Sequence, residues 1–318
     1  MTPSDTLAWP ELPFGAWRDT CATLQLWTQI VGKIRLKQTP WLNHSWHVPL
    51  YVTARGLTTS PIPHGTRSFE IQFDFVQHAL DIAVSDGGHR RIPLRPQSVA
   101  DFYAALMTAL ADLEIPVAIN ELPCEIAGPI RFGEDRAHAS YDGEYANRFW
   151  RILVQSDRLM KAFRTGFIGK ASPVHFFWGS FDLAVTRFSG RKAPPYTGKA
   201  PGVADAVMRE AYSHEVSSAG FWPGGNGIDY PAYYSYAYPV PANFQTYPVL
   251  PKGAFFSAPL GEFLLPYDVV RTAPDPDATL LSFFRSTYAA AAVRGNWDRA
   301  ALEREPGVAG VCPSENPA

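Results

Sequence analysis

Along residues 16–36 the apolar positions Trp17, Cys21, Leu24, Trp27, Val31 and Ile34 recur at three and four. That is the spacing of one buried helical stripe, and Pro40 closes the turn after it. Strands are predicted at 48–57, at 68–76, where SFEIQFDF alternates strictly, and at 79–84, joined to the last by a tight turn. A second helix opens at SVAD, where Ser98 and Asp101 have the spacing of a capping box. A strand near 115–120 leads to a long helix over 143–165, with Asp142 as its N-cap and Phe149, Trp150, Leu153, Leu159, Met160 and Phe163 as its apolar face. The run VHFFWGSFDLAVTRF (174–188) is apolar on both faces and reads as one central strand. A helix at 203–218, a strand near YYSYAY and a final helix from Asp277 complete the elements.

This order predicts a single α+β unit over residues 1–302, with helices packed on a mixed, largely antiparallel sheet, and a flexible tail over 303–318. One pattern suggests internal duplication. Helix, proline loop, histidine, strand, arginine and proline loop recur, giving pseudo-repeats 16–125 and 142–295. A shift of 132 residues places Arg55 on Arg187 and Pro63 on Pro195.

Composition narrows the class. Charged residues make up 18% of the chain, below the usual ~25%, and the net charge of −2 arises from interspersed signs. With no basic stripe, nucleic acid is not an expected partner. Cys21, Cys124 and Cys312 are far apart and odd in number, which fits a reducing compartment. No leader pattern and no membrane-length apolar run is present, so the expectation is a cytoplasmic protein. Residues 221–256 are crowded with aromatics and prolines, the composition of a packed, irregular wall.

Four histidines carry the candidate chemistry. His44 and His47 stand three apart in HSWH, a spacing that brings two imidazoles to one face only on a helical turn. His175 lies in the expected central strand, sharing a face by alternation with Phe177, Phe181, Val185 and Arg187. His214 falls on the stripe Val203, Val207, Ala211, with Glu210 or Glu215 placed to orient its ring. Each histidine is equally accounted for as a hydrogen-bonded structural residue. Arg55 and Arg187, read inside strands, would pair with Asp182, Asp74 or Glu70, or hold a substrate's acid group. His138 and Tyr141 fit a helix cap. FWPGGNG (221–227) lacks a phosphate-loop pattern and reads as a turn shaping a pocket rim.

The stretches LWTQIVGKIRL, HVPLYVTARGLTTSPIP, ANRFWRILVQSDR, PVHFFWGSFDLAVTRFSGR, MREAYSHEVSSAGFWPGG and LPYDVVRTAPDPDATLLSFFRSTY resemble a bacterial family catalogued only as a domain of unknown function. The resemblance runs from about residue 9 to residue 302 and implies one architecture across the chain. It implies no activity, cofactor or catalytic residue.

Two readings stand open. In the first, the protein is an enzyme on a small organic substrate, by hydrolysis or oxygen chemistry. His44, His47, His175 and His214 are then ligands for Zn or Fe, or His175, His214 and Glu215 are acid–base groups. In the second, it is a metal-free binding module for an apolar or aromatic acid, with walls of Phe177, Trp178, Trp222 and Tyr234 and with Arg55 and Arg187 on the acid group.

Overall fold

The computed structural model describes residues 8–225 and 227–312. Helix α1 (Phe14–Gln38) is buried not along one stripe but almost all round from Thr23 to Arg35, because other elements surround it. The strands β1 (Tyr51–Val52), β2 (Gly56–Thr58), β3 (Ile62–His64), β4 (Arg67–Asp74), β5 (Ala79–Val84) and β6 (His89–Pro93) follow, and then α2 (Val99–Asp112). The expected strand at 48–57 is broken after Val52: Thr53 Oγ1 accepts from the backbone N–H of Arg55 and of Gly56, a side-chain turn that ends β1. In β4 the alternation holds, with Phe69, Ile71 and Phe73 buried and Glu70 and Gln72 partly exposed. Ser98 caps α2 as its spacing predicts, accepting from Asp101 N at 3.1 Å. Residues 115–120 form no strand.

Helix α3 (Gly143–Thr165) starts where Asp142 accepts from Glu144 N and Tyr145 N. Next come β7 (His175–Phe177), β8 (Asp182–Lys192), α4 (Asp205–Ala211), β9 (His214–Trp222), β10 (Ala232–Tyr238), β11 (Phe255–Ser257), β12 (Glu262–Pro266), α5 (Tyr267–Arg271), α6 (Pro276–Arg294) and α7 (Arg299–Leu302). Two expectations change here. The apolar run 174–188 is a hairpin, turning at Trp178–Phe181 with Phe181 at φ +60°. The helix expected over 203–218 stops at Ala211, and His214 opens a nine-residue strand paired on both sides. Pairing in the sheet overrides the local helical spacing.

The fold is α+β as expected, and the largely antiparallel sheet is in fact two six-stranded sheets in which every described strand pair is antiparallel. One sheet runs β1-β2-β4-β5-β6 with β3 beside β4; the other runs β11-β12-β10-β9-β8-β7. They meet where Leu50 and Phe176 exchange both backbone hydrogen bonds at 2.9 Å. Each half thus runs from a long helix through antiparallel strands to a further helix. Beyond Leu302 the chain stays attached to the end of α3: Arg304 Nε donates to Thr165 O at 2.9 Å and Gly307 N to Thr165 Oγ1 at 3.0 Å. The last six residues of the expected tail lie outside the described ones. No helix among the described residues is long and apolar enough to cross a membrane.

Candidate functional site

The second sheet has two working faces. Leu183, Val185 and Arg187 of β8 and Ala219 and Phe221 of β9 share one face, on the side of α3 and α6; Asp182, Ala184, Thr186 and Phe188 share the other with Val216, Ser218, Tyr234 and Tyr236. Above this second face lies a cavity of about 490 Å³. Its roof is α4, through Val207, Met208 and Ala211, together with the turn at His44–Ser45. Trp46, Val48, Phe177 and Trp178 line it as well, and Trp178–Gly179 lie against α1 at Gly32 and against Cys124 and Glu125, which border the same space with Lys33 and Leu36. The walls are mostly aromatic and aliphatic.

The cavity's polar floor depends on small residues. Ala184 and Gly220 stand in one cross-strand row with Tyr234. A methyl group on Gly220 would overlap the Tyr234 ring and the Leu183 carbonyl, so glycine is what lets that ring lie across β9. The Tyr234 hydroxyl then reaches Asp182 and donates to one carboxylate oxygen, while Ser180 Oγ donates to the other. Tyr236 continues the strip: its hydroxyl meets that of Tyr212 at 3.0 Å, and Thr186 and Ser218 are bonded beside it at 2.9 Å.

Two carboxyl groups line this cavity. Burial raises the Asp182 carboxyl above its usual range, against the two hydroxyl bonds that favour its ionised form. Glu125 stands on a left-handed backbone position at φ +58°, its carboxyl against the bare Cα of Gly179. Burial, and then the charge of Asp182, push it up to about 7. Lys33 also borders the space and donates to Leu122 O at 2.7 Å.

The histidines do not assemble. His44 reaches the cavity, yet Lys170 Nζ donates to its Nε2 at 2.6 Å and its Nδ1 faces Glu210 O at 3.0 Å. Those partners fix the Nδ1–H tautomer, and burial followed by Lys170 keeps the ring neutral. Its ring centroid is 6.3 Å from that of His214, whose Nδ1 meets Ser213 Oγ. His47 packs on Trp41 and accepts from Leu42 N. His175 is 1% exposed, enclosed by Trp46, Tyr51 and Phe177, and neither ring nitrogen has a partner among the described residues. Burial, with Arg35 and Arg164 nearby, pushes it down to about 3. Among the described residues no three His, Cys, Asp or Glu side chains converge to hold a metal ion, so the expected Zn or Fe site has no ligand set here.

The other sequence candidates separate. Trp178 and Tyr234 line the cavity as expected. Trp222 does not; it packs with Ile228, Tyr234 and Leu264 in a small cluster farther along the same face. Glu215 pairs with Arg191 at 2.7 Å, one position out of phase with the cavity residue Val216. Glu210 accepts from Trp41 Nε1 at the rim rather than orienting His214. Arg55 lies in the turn after β1, half-exposed and bonded to Asp74 at 2.6 Å. Arg187 is on the opposite face of β8 from the cavity, because the hairpin at Trp178–Phe181 resets the alternation that was to align it with His175. Glu125 was missed, since nothing local marks a link residue that enters a cavity. Asp182 carried a signal, a carboxylate inside an apolar run, which had been assigned to an arginine.

Residues 9–304 match a family described as being of unknown function, DUF5996. No curated protein and no solved structure matches the chain.

Proposed function

The chain belongs to the DUF5996 family, whose description assigns no activity, and we propose from the cavity's chemistry that it binds a small, largely apolar organic molecule carrying a basic group. The observation that carries this reading is that Glu125 and Asp182 lie in an aromatic-walled cavity while Arg55 and Arg187, the groups that would hold an acid, are elsewhere. A protonated amine ionises such carboxyls by supplying the counter-charge their burial lacks, and the faces of Trp46, Trp178 and Tyr236 suit a cation. At about 490 Å³ the space falls within the range of pockets for compact ligands. The preference for an acid expected from the sequence is thus reversed.

The test is calorimetric titration with tryptamine and phenethylamine against indole-3-acetate and phenylacetate. The amines bind and the acids do not. Below about pH 7 Glu125 must release its proton for the amine to gain its charge, so amine affinity rises with pH up to about 7 and levels off above it. Glu125→Gln lowers amine affinity about tenfold or more and removes the pH step. Acids binding as tightly as amines would overturn the proposal.

A second reading rests on the same carboxyl. A group titrating near neutrality inside a cavity suits a general base, so Glu125 takes the acid–base role first given to His175 and His214. Under this reading a bound amine is also turned over, and the rate has a limb near pH 7 that Glu125→Gln abolishes.

A further inference from the structure

A second cavity, of about 230 Å³, opens on the other side of β8, between the end of α3, the middle of α6 and α7. Its charged lining is Arg187, Arg285, Arg299 and Arg304 against a single carboxylate, Glu303. Arg299 holds Glu303 through two bonds, at 2.6 and 3.0 Å, which neutralises that pair. Three guanidiniums stay uncompensated around the space. Arg304 spends its Nε on Thr165 O and Arg187 one Nη on Phe163 O, both at the carbonyl end of α3. Arg285 is exposed on α6.

Arg187 Nε is buried without a hydrogen-bond partner among the described residues, and the Tyr288 hydroxyl lies beside Glu303 and the Arg187 guanidinium. Arg187 is 4% exposed and stacked among Phe163, Phe167 and Tyr288, with its guanidinium carbon 3.5 Å from the Phe163 ring centroid. A charge held that deep is stabilised by aromatic faces but lacks the oxygen acceptors a guanidinium fork normally finds. Carbonyl capping explains one nitrogen of Arg187 and one of Arg304. It does not explain why Arg285 and Arg299 converge on the same small space.

We propose that this cavity is a binding site for a compact oxyanion, inorganic phosphate or the phosphate or carboxylate head of a small metabolite. It is smaller than pockets for drug-sized ligands, which limits the occupant to the anion and a few further atoms. The fork of Arg285 and the nitrogens that Arg299 and Arg304 do not spend on Glu303 and Thr165 are the groups that would receive its oxygens. The site is independent of the amine cavity, because β8 separates them: Thr186 and Phe188 face one and Arg187 the other.

The experiment is calorimetric titration of the full chain with inorganic phosphate, glycerol phosphate and succinate at constant ionic strength, with chloride as the matched control. Saturable binding of at least one of these anions, absent for chloride, is the expected result, and the stronger of phosphate ester and dicarboxylate identifies the head group. Because Arg187 is buried and its variants endanger folding, the variant is Arg285→Gln, whose side chain is exposed. It weakens binding about tenfold or more. No saturable binding by any of the three anions, or unchanged affinity in Arg285→Gln, overturns the proposal. Since amine binding is read with different ligands, failure of one site does not mimic failure of the other.

Discussion

His175 and Asp182 belong to one hairpin, and both are buried polar side chains in an apolar setting, yet their partners differ. Asp182 is supplied with two hydroxyl donors, Ser180 and Tyr234, whereas His175 is surrounded by aromatic rings with both nitrogens unpaired among the described residues. An orphaned imidazole carries the desolvation cost of its nitrogens without the bond that would offset it. His175→Leu removes that cost at comparable volume, so we expect a stability gain of about 1 kcal/mol, read as a higher urea midpoint at unchanged slope. A loss of about 3 kcal/mol instead would mean that the ring is bonded to something essential. The histidine drew notice in the sequence because a buried imidazole must find a hydrogen-bond partner or a metal. What the sequence withheld was its set of neighbours, which come from α1, α3 and the segment around Trp46 as well as its own strand.

At the scale of elements, the site is a product of cross-strand rows. Ala184, Gly220 and Tyr234 share a row only because β8, β9 and β10 are paired in this register, and the aromatic ring fills the space the two small residues leave. Gly220→Ala inserts a methyl group between the Tyr234 ring and the β8 backbone. We expect a loss of about 1–3 kcal/mol, the usual cost of overpacking, measured by thermal or urea unfolding. A neutral result would show that Tyr234 can leave Asp182 without consequence. Helix boundaries, by contrast, were legible residue by residue: Asp142 and Ser98 cap α3 and α2 through local side-chain bonds that need no tertiary context. The helix expected across His214 failed for the opposite reason. Its spacing suited a helix, and pairing with two flanking strands overrode it.

For the whole molecule, one hydrophobic cluster runs from Trp9 to Trp297 and draws residues from both sheets and from α1, α2, α3 and α6. A shared core ties the two halves' stabilities together, so differential scanning calorimetry should give a single transition whose van't Hoff and calorimetric enthalpies agree. Two resolved peaks would mean that the halves fold as separate units despite the Leu50–Phe176 seam.

Periodicity and capping residues determined by themselves the long helices, the alternating strands β4 and β5, and the α+β class, because these depend on neighbours within a few positions. Composition likewise indicated an aromatic interior. The tertiary structure alone decided which polar groups meet. A hairpin turn at Trp178–Phe181 shifts the phase of β8 by one residue, and that shift turns Asp182 toward one cavity and Arg187 toward another. Side-chain direction alternates at every position of a strand, so a single-residue change of phase exchanges the two faces. Asp182 and Arg187 were visible in the sequence as charged residues inside an apolar run; the face each one occupies was set by the turn that connects the strands.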